Sequence, residues 1–319
     1  MSDRETDETE ASFAADVRAG LLRAQKSLSP KYLYDPLGSA LFEAITQLPE
    51  YGLWRAEQTI FTRYAEAIAE NTGASNIVEL GSGSATKTIH ILRMLSRRQS
   101  LAYCTVDVSP TAIELTRRAL DGVAGLSVRG VQDEYLPGLE TALQSRAANS
   151  RVLVLFLGSS LGNFDAATSL QFLRRIRRSL VVGDDLLLGA DLVKPLEQLL
   201  AAYDDALGVT AAFNLNLLVR MNRELGANFM LPQFRHLARF NAATSDVEMH
   251  IESRCAQEIY FAKDRYSVSF RAGETLHTES SHKYSVDEVS TLASDSGFRR
   301  IEHWVNEDWP FVTGLYRAI

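Results

Sequence analysis

The sequence predicts an α/β protein built on a doubly wound parallel sheet, with a second, α+β domain set into it. Three observations predict this. From Ala56 to Ala190, helical and strand patterns alternate without a break, the order that parallel βαβ units produce. Two of the strand segments, Val152 to Gly158 and Leu186 to Leu192, are nearly continuous apolar runs, as strands covered by helices on both faces require. The alternation stops after about Lys194, and the last part of the chain, from Ser285, reads as the closing helix and strand pair of the sheet.

Residues 1–11 carry too much charge and too little apolar surface to offset ordering entropy, so disorder is expected there and a helix from about Phe13. Pro30 to Arg55 is aromatic and punctuated by Pro36, Gly38, Pro49 and Gly52, which predicts a short helix at Ser39 to Gln47 between two turns. The alternating region reads as helix Ala56 to Thr72, strand Asn76 to Leu80, helix Thr86 to Arg97, strand Leu101 to Asp107, helix Pro110 to Leu120 and strand Leu126 to Gln132. Helix Leu139 to Ala147, strand Arg151 to Leu157, helix Ala166 to Leu180 and strand Asp185 to Ala190 continue it. Helices at Pro195 to Leu207 and Thr210 to Leu225 then precede strands at Val247 to Ala256, Glu258 to Phe261 and Tyr266 to Phe270. Helix Ser285 to Gly297 and an antiparallel pair, Arg299 to Asn306 with Phe311 to Tyr316, close the chain. The expected division is therefore a Rossmann-like domain of 56–193 plus 283–319, and a second domain of 12–55 plus 194–282.

Composition narrows the classes of partner. The 319 residues are 46% hydrophobic with a net charge of −7, which fits a globular chain without general attraction for phosphate backbones or anionic bilayers. Neither nucleic acid nor a membrane is an expected partner. The basic run Arg174 to Arg178 falls on an amphipathic helix and reads as its solvated face. No apolar stretch approaches the ~20 residues of a membrane span, and the acidic start lacks the pattern of a secretory signal, so a cytoplasmic protein is expected; separately, a monomer is expected. Cys104 and Cys255 are too far apart to suggest a disulfide framework, and the six histidines show no ligand spacing, so no metal is expected.

The glycine segment carries the first chemistry. Asn76 to Lys87 runs strand, Gly81-Ser82-Gly83 turn and helix in immediate succession, and such glycines let a ligand lie against the main chain. A dinucleotide fingerprint would want a third glycine at Thr86, so an NAD(P)-dependent oxidoreductase is disfavoured. S-adenosylmethionine has no pyrophosphate to bind, and an acid such as Glu79 suits its sulfonium and amino acid end. Asp107 ends the second strand, where a carboxylate reaches ribose hydroxyls. Asp133 and Glu134 follow the third, near the expected adenine.

Beyond that segment, the chain resembles the histidine-specific Nα-methyltransferases of ergothioneine biosynthesis. The resemblance runs through KYLYDPLGSALFEAITQLPEY at 31–51, VELGSGSATKT at 78–88, FLGSSLGN at 156–163, LLLGADLVK at 186–194, AYDDALGVTAAFN at 202–214, VEM at 247–249 and TESS at 278–281. It implies a class I methyltransferase sheet with an α+β substrate-binding domain, and transfer of three methyl groups from S-adenosylmethionine to the α-amine of L-histidine, giving hercynine. It implies Tyr34, Gly81, Lys87, Asp107 and Asp133 around the cofactor, with Glu134 standing where the family has an aromatic residue. It implies Tyr51, Asn163, Tyr203 and the Gly158 backbone around the substrate's amine and carboxylate, and Met249, Glu279 and Ser281 around its imidazole. A second departure is Gly52, where a second tyrosine would be expected.

Local chemistry agrees with that assignment. Residues i and i+2 of a strand share a face, so Glu279 and Ser281 would point together and hold two imidazole nitrogens. Methyl transfer is an in-line displacement, so the protein's task is alignment of a neutral amine, for which Tyr34 or Tyr51 is the expected orienting group. A tryptophan or other aromatic amino acid Nα-methyltransferase is the nearest rival, and a buried carboxylate at Glu279 suits imidazole better than indole. A non-catalytic S-adenosylmethionine-binding protein is the other alternative.

Overall fold

The computed structural model describes residues 3–147 and 150–319, with side chains from Ser12 onward apart from the same gap. Helix α1 spans Asp3–Leu21 and so starts well ahead of Phe13. The disorder expected for 1–11 concerns positions whose side chains, and for residues 1 and 2 whose backbone, lie outside the described residues. The chain divides into two compact units, Met1–Tyr51 with Leu196–Ser280, and Gly52–Pro195 with Ser281–Ile319.

In the first unit α1 leads through the short strand β1 (Lys26–Ser27) to α2 (Pro36–Thr46). That helix begins ahead of the expected Ser39 because Asp35 caps it, accepting the Gly38 N–H at 2.7 Å, with Pro36 in the first helical position. The second unit opens at α3 (Gly52–Asn71) and alternates through β2 (Asn76–Leu80), α4 (Ile89–Ser96), β3 (Leu101–Asp107), α5 (Pro110–Ala119) and β4 (Leu126–Gln132). It continues through α6 (Tyr135–Leu143), β5 (Val152–Phe156), α7 (Ala166–Ser179) and β6 (Asp185–Asp191). After it come α8 (Leu196–Tyr203), α9 (Val209–Leu225), β7 (Phe234–Asn241), β8 (Asp246–Ser253), β9 (Gln257–Phe261), β10 (Tyr266–Phe270) and β11 (Thr275–His282). Helix α10 (Val286–Asp295), β12 (Phe298–Asn306) and β13 (Phe311–Ala318) complete the second unit.

The second unit is the α/β sheet that the alternation predicts. Its seven strands lie in the order β12-β13-β6-β5-β2-β3-β4, all parallel except β13, which runs antiparallel to both β6 and β12. Every residue of β5 and of β6 is buried, as the apolar runs require, whereas the edge strand β4 is half exposed. The order reverses between β2 and β5, and ligands of such sheets bind at the carboxyl ends of the strands beside that switch point. Helix starts are fixed locally: Ser109 caps α5 with Pro110 following, Asp165 caps α7, and Ser285 with Glu288 forms a capping box on α10.

Three further elements differ from expectation. Helix α4 begins at Ile89, after Thr86, because the chain from Ser82 is still turning, with Gly83 and Ala85 at positive φ. Helix α6 begins at Tyr135, ahead of Leu139, because Pro137 falls in its first turn, where a missing N–H costs nothing. Strand β7 has no counterpart in the sequence reading: it is an edge strand of the first unit's sheet, ordered β1-β11-β8-β7, and its alternation is weak. Strands β9 and β10 form a separate hairpin. Among the described residues no helix is long and apolar enough to cross a membrane.

Candidate active site

The second unit gathers its chemistry at the ends of β2, β3, β4 and β5. After β2 the backbone turns at Gly81, φ +75°, where an added Cβ would come within 3.2 Å of the Tyr135 ring. The Gly81 N–H donates to the Val106 carbonyl at 2.8 Å, which ties this turn to β3. Asp107 ends β3 and accepts the Ser109 N–H at 2.9 Å on one oxygen and the Gly83 N–H at 3.4 Å on the other. Burial raises its pKa above the ordinary carboxylate value, so further donors at that carboxylate would be stabilising. Asp133 lies just past β4 and accepts the Glu134 N–H at 2.8 Å, while Glu134 is exposed at the start of α6. The aromatic ring beside Gly81 is that of Tyr135, one residue later than the family pattern would put it.

A buried carboxylate that the sequence reading missed organises the next group. Glu57 of α3 is fully buried, pairs with Lys87, and accepts the Gly158 N–H at 3.0 Å. Lys87 and Gly158 are thus brought together through Glu57, and the Gly158 N–H is already committed. Nothing local marks Glu57 in sequence, since its partners lie 30 and 101 positions away. Glu79, read as suiting the cofactor's charged end, is turned into the core instead. It is 2% exposed and accepts hydrogen bonds from Thr88, at 2.7 Å, and from Tyr103. Burial pushes its pKa up to about 7, against the lowering effect of those two hydroxyls.

Asn163 ends a single 3-10 turn, Ser160–Asn163, that follows β5, and is half-buried. Ser281 is buried on β11 and accepts from the Lys283 ammonium at 2.7 Å. Lys283 pairs in turn with Asp191 at 3.1 Å, and Asp191 also receives Lys194 at 2.6 Å and the Trp309 indole N–H at 2.9 Å. Burial draws the Lys194 pKa down to about 8 although Asp191 opposes the shift. Trp309 also explains the departure at Gly52: its ring lies where a Cβ on residue 52 would stand, so no side chain fits there.

The first unit contributes an aromatic row and a buried polar network. Tyr34 meets Phe42 edge-on at 5.5 Å, Phe42 meets Tyr51 at 6.2 Å, and Tyr51 meets Tyr203 at 6.3 Å between ring centroids. Three of the predicted residues therefore belong to one cluster. Asn214 of α9 is the centre of the network. Its amide nitrogen donates to His236 Nδ1 at 2.9 Å and to the His250 carbonyl at 3.0 Å, and His236 Nε2 donates to the Tyr203 carbonyl at 2.7 Å. The Thr278 hydroxyl lies 2.7 Å from Asn214 Oδ1 and 3.0 Å from the Met249 carbonyl. Asn214 thereby joins the backbones that carry Tyr203, Met249 and, one residue beyond Thr278, Glu279. Met249 and Glu279 are both buried. Among the described residues no group of three His, Cys, Asp or Glu side chains is placed to hold a metal ion.

A reversed last strand between β6 and β12, a glycine turn after β2 and an acid ending β3 define the class as S-adenosylmethionine-dependent methyltransferase. The family is narrower. The chain belongs to the SAM-dependent, histidine-specific methyltransferases, whose family model matches residues 13–318. It is 41% identical over 307 residues to the histidine N-alpha-methyltransferase of Mycolicibacterium smegmatis, covering 95% of this chain and 94% of that protein. It is 38% identical over 302 residues to the histidine N-alpha-methyltransferase of Mycobacterium tuberculosis, covering 94% and 93%. An L-tryptophan methyltransferase of Psilocybe serbica is more distant, at 24% identity over 326 residues, covering 92% and 89%.

Proposed function

We propose that this enzyme transfers three methyl groups from S-adenosylmethionine to the α-amine of L-histidine, forming hercynine for ergothioneine biosynthesis. The observation that carries the substrate is the pair Glu279 and Ser281, both buried and two residues apart on β11. Strand geometry turns them to one face, where a carboxylate accepts from one imidazole nitrogen and a hydroxyl serves the other. Met249 would pack against the ring. An indole has one N–H and no acceptor nitrogen, so it could meet Glu279 or Ser281 but not both.

The strand ends of the second unit fit the methyl donor. At the Gly81 turn an added Cβ would press to within 3.2 Å of the Tyr135 ring, and the buried Asp107 carboxylate would gain from two ribose hydroxyls. Tyr34, Gly81, Lys87, Asp107, Asp133 and Glu134 are the residues proposed to hold it. When bound, it supplies a methyl group on a sulfonium, open to attack by an amine. The Tyr51 and Tyr203 hydroxyls, the Asn163 amide and the Gly158 backbone would fix the amino acid's amine and carboxylate, with Gly158 contributing its carbonyl because Glu57 takes its N–H. Tyr34 and Tyr51 would orient the amine lone pair along the line of displacement. An α-amine with a pKa near 8 loses its proton readily, so orientation matters more here than a strong base. The working form is proposed to be a cytoplasmic monomer, which light scattering of the purified protein tests as far as its oligomeric state.

Calorimetric titration in the presence of S-adenosylhomocysteine tests the substrate directly. Histidine is expected to bind, and tryptophan to bind at least tenfold more weakly, on the order expected when one hydrogen bond to the ligand is lost. Tryptophan binding better than histidine would overturn the assignment of Glu279 and Ser281.

A further inference from the structure

Two fully buried threonines stand beside the glycine turn of the second unit, Thr105 on β3 and Thr116 on α5. A valine would fill either place without a hydroxyl to desolvate, so packing alone does not account for them. Both hydroxyls are directed at the turn. Thr116 Oγ1 donates to the Gly83 carbonyl at 3.0 Å and lies 2.9 Å from Ser82 Oγ. Ser82 Oγ also pairs with the Thr105 hydroxyl, with the Tyr103 hydroxyl beside it. The Gly83 N–H meets Asp107, so β3 and α5 take both polar groups of the Gly83 main chain. Asp107 accepts the Ser109 N–H on its other oxygen, and Ser109 caps α5. The helix that carries Thr116 therefore starts at the carboxylate that Gly83 contacts.

We infer that Thr116 is a positioning residue for the methyl donor, holding the Gly81 to Gly83 turn and its contact with Asp107 in the shape that S-adenosylmethionine meets. The inference rests on the placement of the cofactor at that turn. Glycine loses more conformational freedom on ordering than any other residue. A turn with Gly81 at φ +75° and Gly83 at φ +54° keeps one shape only if other groups impose it. The Thr116 hydroxyl imposes it at the Gly83 carbonyl, and Ser82 extends the hold to the middle of the turn. Order imposed before binding is order that the ligand need not create, so affinity rises by the difference. Every residue in this arrangement belongs to the second unit. Thr116 touches no cofactor atom in this account and acts through Gly83 and Ser82.

Calorimetry on the full chain, well below its melting temperature, separates this role from a structural one. S-adenosylhomocysteine affinity is measured for the parent, Thr116→Val and Thr116→Ser, and histidine affinity for each with S-adenosylhomocysteine saturating. Thr116→Val keeps the shape of the side chain and is expected to weaken S-adenosylhomocysteine about tenfold. Thr116→Ser restores the hydroxyl and should return to within about threefold of the parent, and histidine affinity should stay within about threefold throughout. A Thr116→Val protein with the parent's affinity for S-adenosylhomocysteine would overturn the inference. So would equal losses in the valine and serine variants, which would exonerate the hydroxyl, or equal losses at both ligands, which would make the role structural. Gly81→Ala tests the reading beneath: normal S-adenosylhomocysteine affinity in that variant would overturn the placement of the cofactor at the turn, whatever Thr116 does. Should Thr116→Val fail to fold, Ser82→Ala, which cuts the middle of the turn from both threonines, replaces it. A roughly tenfold loss of S-adenosylhomocysteine affinity alone supports the inference there, and an unchanged affinity overturns it.

Discussion

Glu57 is the residue on which the cofactor half of the account depends. Replacing it with alanine leaves Lys87 without its buried partner and the Gly158 N–H without an acceptor. Breaking a buried pair from one side typically costs about 3–5 kcal/mol, so Glu57→Ala should melt many degrees lower than the parent and bind S-adenosylhomocysteine more weakly. Glu57→Gln keeps an acceptor for Gly158 and should fall between the two. A Glu57→Ala protein with the parent's melting temperature and cofactor affinity would contradict the role given to this carboxylate. The contrast with Asp107 shows what sequence makes legible at this scale. Asp107 ends a strand two residues before a helix cap, and its partners Gly83 and Ser109 belong to recognisable turns. Glu57 sits mid-helix among ordinary polar residues and gains meaning only when the fold delivers Lys87 and Gly158. Glu79 shows the converse: an acid at the right strand end, turned inward by Thr88 and Tyr103.

Among elements, α9 ties three strands of the first unit together. Asn214 projects from it to β7 through His236, to β8 through the His250 carbonyl, and to β11 through Thr278. Asn214→Leu removes all three connections and leaves the Thr278 hydroxyl and His236 short of partners in a buried place. The expected cost is about 2–4 kcal/mol, with a larger effect on KM for histidine than on the affinity for S-adenosylhomocysteine. Equal losses at both ligands would show that α9 supports the fold alone. Three strands of the second unit were legible to the residue: β2, β3 and β4 begin and end where apolar patterning puts them. Strand β7 was not, because an edge strand with Arg235 and Arg239 in solvent contact lacks the clear alternation of a strand covered on one face. Its contribution, His236, was therefore invisible as well. The start of α6 lies ahead of the expected Leu139 for a different reason: Pro137 stands in its first turn, where a missing N–H costs nothing.

For the whole molecule, stability should fall on mild acidification. Burial lowers the pKa of His236 and His277, and draws that of His250 down to about 4. A base depressed by folding contributes stability that is present above its unfolded pKa of about 6.5 and is lost as pH falls towards the folded value. Glu79 acts in the opposite sense: raised to about 7, it favours the folded state at low pH and loses that contribution as pH rises through 7. With three histidines against two raised carboxylates, Glu79 and Asp107, the melting temperature should drop between pH 7 and pH 5, and Glu79→Gln should steepen the drop. A melting temperature that is flat or rising on acidification would contradict the buried, neutral state assigned to these histidines.

Chain-wide, the α/β sheet was legible because alternation starts and stops abruptly in the sequence. The pairing of Gly52 with Trp309 was not, since only the folded chain brings residues so distant together. The most direct test of the central claim is mass spectrometry of products formed from L-histidine and S-adenosylmethionine by the purified enzyme. The account predicts histidine carrying one, two and finally three added methyl groups on its α-nitrogen, with the trimethylated betaine accumulating. Methylation on the imidazole ring, or no methylated histidine while tryptophan is methylated, would contradict it.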